Sequence, residues 1–576
     1  MKLHSLLSGL CLLSGTLAAP APVPVPDPAP PATIEERAAK VNVAVPAGTV
    51  VGSSSGKVES FRGIPFADAP TGSLRLKPPK KLSKALGNFD ASGPTGPTCP
   101  QMFISSGGED VISEFLSDFL SIPLLQVITG QEDCLTMTVQ RPAGTKAGDK
   151  LPVLFWIFGG GFQLGSSAMY DGTSLLSAAI DQQQPFVYVA VNYRVAGFGF
   201  MPGAEILKDG SANLGLLDQR MGLEWVADNI AAFGGDPEKV TIWGESAGAI
   251  SVLDQMTLYG GDVDYKGKPL FRGAIMNSGS VAPAAPVDSP KAQEVYDTVV
   301  ETAGCSSASD SLKCLRELSY DKFLNAANSV PGLLSYNSLA LSYLPRPDGK
   351  VLPDSPDALI AAGRYHAVPM INGDQEDEGT LFALFQPNLT TTAGLVDYLQ
   401  KLYFGDATKE QLTALVNTYP SAISAGSPFR TGILNEVFPG FKRRAAILGD
   451  LVFTLTRRLF LQSATDTNPD VPAWSYLASY NYGTPILGTL HASDLLQVFF
   501  GVLPNNAAKS IRTYYFNFLY NLDPNKGVTK YAKWPEWKDS KKLMWFKTPN
   551  GNSILDDNFR STSYDWIASN VESLRV

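Results

Sequence analysis

Histidine is scarce in this chain: His4, His366 and His491 are the three present among 576 residues. Any chemistry that needs an imidazole must therefore use one of them. There are five cysteines, with neither CxxC nor histidine-rich spacing, so a zinc site is disfavoured and no metal is expected. No GxGxxG or GxxxxGK[ST] pattern follows the glycine run at 159–161, which argues against a phosphate cradle, and no cofactor is expected. The formal net charge of -9 makes polyanions poor partners, so nucleic acid is not expected as a ligand. Beyond the N-terminus no segment approaches about twenty uninterrupted apolar residues, and no transmembrane segment is expected.

What is present points to a secreted globular protein. Hydrophobic residues make up 44% and charged residues 18%, which suits a large buried core. The stretch 1-MKLHSLLSGLCLLSGTLAA-19 has the basic start, short apolar core and small-residue end of a secretory signal peptide. Residues 20–40 begin proline-rich, 20-PAPVPVPDPAPPAT-33, and read as a propeptide or linker, leaving 41–576 as one catalytic domain. Cys11 leaves with the signal. Cys99, Cys134, Cys305 and Cys314 remain, an even number suited to two bridges in an oxidising compartment. Three pairings are possible, and sequence proximity favours Cys99 with Cys134 and Cys305 with Cys314. Asn388-Leu389-Thr390 is a glycosylation sequon, predicting an exposed asparagine.

The stretch 241-TIWGESAGAI-250 reads as a strand, a sharp turn and a helix, with Ser246 at the turn. A serine in a strained turn needs glycines at Gly244 and Gly248 so that strand and helix can close on it. A second GxSxG, 52-GSSSG-56, joins two short β-like runs and reads as a hairpin turn. Serine needs a base. His4 is in the signal, and His366 is in a polar connector where a solvated or capping role fits, so His491 remains. The run 153-VLFWIFGGGF-162 reads as a buried strand ending in bare backbone N–H groups, and Gly160, Gly161 and Ala247 are candidate oxyanion donors. The cluster 372-NGDQEDEGT-380 offers Asp374, Glu376, Asp377 and Glu378 as partners for the imidazole. The residues alone leave that choice open, with the other three expected as solvated loop charges. The order serine, carboxylate, histidine is that of α/β-hydrolase triads.

Together 244-GESAG-248, 156-WIFGGGF-162, 132-EDCL-135, 61-FRGIPFA-67, 376-EDEGT-380 and 488-GTLHASD-494 resemble the type-B carboxylesterase/lipase family, which includes cholinesterases. More narrowly, 345-PRPDG-349, 427-SPFRTGILNE-436 and the Cys305/Cys314 spacing resemble its secreted fungal lipase and sterol esterase branch. The resemblance implies an α/β-hydrolase fold with a large, mostly parallel sheet flanked by helices. It also implies Ser246 as nucleophile, Glu378 as acid and His491 as base, an oxyanion hole at Gly160, Gly161 and Ala247, and the two nearest-neighbour disulfides. Arg75 and Glu132 match a structural ion pair. Phe158 departs from the His or Tyr that relatives often place before the glycines, which should alter packing behind the loop.

Within 109-EDVISEFLSDFLSIPLLQV-127, Val111, Ile112, Phe115, Leu116, Phe119 and Leu120 trace one helical face. A helix of this kind covers a core in most proteins, but the resemblance places a mobile lid between Cys99 and Cys134. Exposing that face would cost on the order of 10 kcal/mol, so opening is expected where lipid covers it. The expected partner is therefore a lipid ester at a lipid–water interface, with the lid face a candidate surface for a homodimer. The expected activity is hydrolysis of water-insoluble carboxylic esters, triacylglycerols and sterol esters, through an acyl-enzyme. Short soluble esters are the nearest alternative, and a non-catalytic adhesion or binding module is a remote one. Activity is expected to fall as pH drops through about 6.5, the ordinary imidazole value, because the base must be neutral.

Overall fold

The computed structural model describes residues 39–103, 130–502, 504–548 and 551–576. The expected signal peptide, the proline-rich segment up to residue 38 and the expected lid helix at 109–127 lie outside them, and with the lid the surface considered for a homodimer.

Among the described residues, thirteen strands form one sheet. Its N-terminal edge is a meander of β1 (Ala39–Val45), β2 (Gly48–Ser55) and β3 (Val58–Pro65), with β4 (Gly87–Asp90) beside β2. The chain continues through β5 (Thr136–Pro142), β6 (Leu151–Ile157), β7 (Val187–Val191) and β8 (Gly235–Glu245). A detached ribbon of β9 (Asp264–Tyr265) and β10 (Lys268–Pro269) precedes β11 (Gly273–Asn277), β12 (Met370–Gln375), β13 (Ala473–Ser479), β14 (Lys542–Lys547) and β15 (Ser553–Asp556). The spatial order is β1-β2-β3-β5-β7-β6-β8-β11-β12-β13-β14-β15. From β7 to β14 every pairing is parallel, while the pairings on either flank of that block are antiparallel, save that β4 lies parallel to β2.

The sequence explains the division. The central strands are apolar runs, VLFWI in β6 and VYVAV in β7, and both are buried on both faces, as parallel strands covered by helices require. Trp156 of β6 and Trp243 of β8 meet edge to face at 4.7 Å, with Phe499 against both. Helix Ala247–Thr257 packs on β6, β8 and β11, and helix Asn506–Asn521 on β6, β8 and β14. A second apolar cluster gathers helices Thr392–Leu402, Lys409–Asn417 and Phe441–Gly449.

Two local expectations are corrected. The sheet starts at Ala39, inside the segment read as linker, because Ala39 pairs with Ser54. The 52–55 stretch is strand throughout, and the β2–β3 turn is Gly56-Lys57, since small serines fit a ladder as readily as a loop.

Cys99–Cys134 and Cys305–Cys314 are the two disulfides. Beside the first, Arg75 Nε and Nη2 grip the Glu132 carboxylate at 2.5 and 2.8 Å, and Arg75 Nη1 donates to Leu318 O at 2.6 Å. Phe158 is fully buried and stacks on Tyr193 at 4.2 Å, so its departure from the family pattern is absorbed behind the glycine loop.

Candidate active site

Three loops at the carboxyl ends of parallel strands β8, β12 and β13 converge, the place where open α/β sheets usually bind ligands. β8 delivers Ser246, the first residue past Glu245. Its backbone stands at φ 58°, ψ −126°, a conformation that costs a non-glycine residue about 1–3 kcal/mol. The neighbours make the turn possible. A Cβ on Gly244 would lie 2.2 Å from Gly248 O, and one on Gly248 would lie 2.1 Å from Ile157 O. The turn is held by Ser246 N–H donating to Asn277 O at 2.9 Å.

β12 delivers the acidic cluster, and here an expectation fails: none of the four carboxylates is a solvated loop charge. Asp374 lies within β12, fully buried and paired with Arg457 Nε at 2.7 Å, while Arg457 also grips Asp557. Glu376 accepts from Arg430 Nε at 2.6 Å. Asp377 accepts from Ser427 Oγ, Phe429 N and Thr489 N at 2.8–2.9 Å. Glu378 alone meets the imidazole. Its Oε1 accepts from Gln375 N at 2.7 Å, and its Oε2 lies 2.5 Å from His491 Nδ1.

The loop after β13 delivers His491, whose Nε2 lies 2.8 Å from Ser246 Oγ. Phe453 and Phe382 flank the ring, with centroids 4.4 and 5.2 Å away. Nδ1–H donating to Glu378 leaves Nε2 free to accept the serine proton. The other histidine among the described residues is elsewhere and not fully solvated: half-buried His366 places Nε2 3.2 Å from Phe271 O.

Behind β6 the chain turns through Gly160 and Gly161 at φ 113° and 62°. This left-handed course is open to glycine, and a Cβ on Gly160 would fall 2.4 Å from Leu164 O. Among the described residues the N–H groups of Gly160, Gly161 and Ala247 donate to no protein acceptor. A cavity of about 250 Å³ is bounded by these three residues, Ser246 and His491, with Leu333, Phe382, Val452, Phe453 and Leu495 among its apolar walls. The arrangement suits acyl transfer: a hydroxyl beside a base, free donors where an oxyanion would form, and apolar walls that exclude water.

Sequence reasoning missed part of this site. Asp494, three residues after His491, is buried and accepts from Asn277 Nδ2 at 2.7 Å, and burial lifts its carboxyl to about 6. The apolar walls come from distant segments. Two of them stand on five-residue π turns, Asp450–Thr454 and Leu495–Phe499, a winding often found at functional sites. No periodicity rule would have found these. Asn388 is exposed, as the sequon requires, with Nδ2 donating to Tyr336 Oη at 3.3 Å.

The chain is 81% identical to "Secreted triacylglycerol lipase LIP1" of Gibberella zeae over 94% of this chain and 92% of that protein. It is 58% identical to "Secreted lipase 1" of Botryotinia fuckeliana, covering 94% and 95%, and 43% identical to "Lipase 4" of Diutina rugosa, covering 92% and 95%. Among solved structures it is similar to EstA of Aspergillus niger, with TM-score 0.78 and 27% identity over 93% of this chain and 99% of that one, an α/β-hydrolase likeness. A family model described as "Carboxylesterase family" matches residues 38–566. With this match over most of its length and the sheet described above, the chain belongs to the carboxylesterase family of ester hydrolases.

Proposed function

We propose that this protein is a secreted lipase that hydrolyses triacylglycerols through an acyl-enzyme. One observation carries the reading: the Ser246–His491–Glu378 hydrogen-bond chain presents Ser246 and His491 in the wall of a cavity whose side chains are mostly apolar, leucine foremost. Relatives named as secreted lipases support it.

Ser246 Oγ attacks the ester carbonyl as its proton passes to His491 Nε2. The charge then on the carbonyl oxygen meets the N–H groups of Gly160, Gly161 and Ala247, each donor worth roughly 3–4 kcal/mol by comparison with donor deletions elsewhere. Glu378 holds the ring and stabilises the imidazolium. His491 returns the proton to the departing alcohol, and water repeats the cycle on the acyl-serine.

The reading extends to sterol esters, to a lid between Cys99 and Cys134 that opens at a lipid–water interface, and to self-association through that lid. Support for interfacial action comes from an exposed apolar patch. Ile433, Leu434 and Val437 are 76%, 68% and 42% exposed. Their segment is tied to the cavity rim, since Tyr482 Oη donates to Arg430 O and the adjoining Asn481 lines the cavity.

The test is hydrolysis of tributyrin, triolein and a cholesteryl ester by the wild type and Ser246→Ala. Loss of all activity in the variant, and a rise in wild-type rate once the ester forms an emulsion, are expected. Activity on soluble esters with none on triolein would replace this reading with that of a short-chain carboxylesterase.

A further inference from the structure

Helix Ala247–Thr257 begins directly behind the nucleophile, so Ser246, Ile250 and Asp254 recur at four-residue spacing along one face. Asp254 therefore stands two turns beyond the serine, about 12 Å along the axis. Ser246 and Ile250 border the active-site cavity, whereas Ile250 and Asp254 border a second cavity of about 70 Å³. Phe162, Ile250, Leu339, Leu341 and Val452 border both. The two spaces thus share a wall and succeed each other along the helix from the hydroxyl.

The far chamber is walled mainly by apolar side chains, among them Val281, Leu344, Phe404 and Leu574. Asp254 is the one side-chain carboxyl among its lining residues. It is 1% exposed, and Oδ2 is buried with no hydrogen-bond partner among the described residues. Burial pushes its carboxyl well above the usual carboxylate range and so favours the uncharged acid, which can both donate and accept a hydrogen bond. Packing does not account for it, because leucine would fill the position without stranding a polar atom.

We propose that Asp254 is a specificity-determining residue at the end of an acyl-chain subsite, where it hydrogen-bonds a hydroxyl carried on a long acyl chain far from the ester carbonyl. The inference rests on the lipase reading above and names a substrate class for it, hydroxylated long-chain acyl esters. A plain chain fills the apolar part of the subsite but leaves the acid unpaired at its end. A hydroxylated chain satisfies it, and a site built to bond a hydroxyl discriminates against the analogue that lacks one.

The experiment compares kcat/KM for nitrophenyl ricinoleate and nitrophenyl oleate, esters that differ by one chain hydroxyl. The wild type is expected to prefer the ricinoleate. Asp254→Leu should lower the ricinoleate-to-oleate ratio about tenfold, the worth of one hydrogen bond to a buried polar group. Asp254→Asn, which keeps a donor and an acceptor, should retain most of the preference. A ratio unchanged in Asp254→Leu overturns the proposal while leaving the lipase reading intact. Should the leucine variant fail to fold, free ricinoleic and oleic acids serve as competitive inhibitors of the wild type: tighter inhibition by ricinoleic acid supports the subsite, and equal inhibition overturns it. A wild type that cleaves nitrophenyl butyrate but neither long-chain ester sinks both readings together.

Discussion

Glu245 Oε1 lies 3.5 Å from His491 Nε2, the same nitrogen that faces Ser246 Oγ, and it has no hydrogen-bond partner among the described residues. Burial by itself lowers the His491 pKa. The charge and hydrogen bond of Glu378, followed by the charges of Glu245 and Asp494, outweigh burial and carry the ring above its ordinary value. The proposed base works only when neutral, so kcat/KM rises with pH through the free-enzyme pKa. The acid limb, expected near about 6.5 for an unperturbed imidazole, therefore moves to higher pH. Burial lifts Glu245 itself to about 8, so it is charged on the alkaline side of that value; there it favours imidazolium, and Glu245→Gln should return the limb toward lower pH. A pH profile on a soluble nitrophenyl ester checks this, and a limb that does not move refutes the role given to Glu245.

Glu378→Gln keeps the shape of the acid and removes its charge. The amide can no longer stabilise imidazolium, and it also favours the wrong ring tautomer. A kcat loss on the order of 10³–10⁴-fold is expected, with little change in KM. Steady-state kinetics on a soluble ester decides it, and a loss below about tenfold would remove Glu378 from the proposed triad.

Asp377 is buried and ties the loop after β12 to the loop that carries His491. Its Oδ2 accepts from Thr489 N, two residues before His491, while its own N–H donates to Thr489 O at 3.0 Å. Asp377→Ala leaves the N–H groups of Phe429 and Thr489 without their acceptor, each costing about 1–3 kcal/mol. Urea unfolding should show a loss of roughly 2–5 kcal/mol, accompanied by lower kcat as the His491 loop loosens. Full stability in the variant would mean that other groups hold these loops.

Leu434→Asp places a charge on the exposed patch near the cavity rim. Adsorption to lipid should weaken, so the ratio of activity on emulsified triolein to activity on soluble nitrophenyl butyrate should fall severalfold. An unchanged ratio would show that the patch does not touch lipid.

The elbow was legible because crowding leaves one solution: bare glycines on both sides of a serine between a β-branched run and a helix. The scarcity of histidine did comparable work for His491. The acidic cluster was not legible from its residues, because composition does not show that Asp374 lies inside a strand beside Arg457 while Glu378 stands in the following turn. The resemblance selected Glu378, whose Oε2 lies 2.5 Å from His491 Nδ1. Burial was misjudged for the other three, since their partners Arg457, Arg430 and Thr489 lie 54 to 112 positions away. The lid helix is expected from a sequence pattern alone, and its residues lie outside the described ones.

The π turn at Asp450–Thr454 interrupts what is otherwise continuous winding from Phe441 to Thr467. A variant that wound these same residues as ordinary α-helix would no longer absorb the extra residue of the π turn, and its upstream and downstream faces would be rotated relative to each other by about 100°. Such a variant would be a better helix and a worse enzyme, because Phe453 could no longer lie against His491 while Arg457 reached Asp374. At this point the backbone has surrendered regularity so that one rod can serve two neighbours at once.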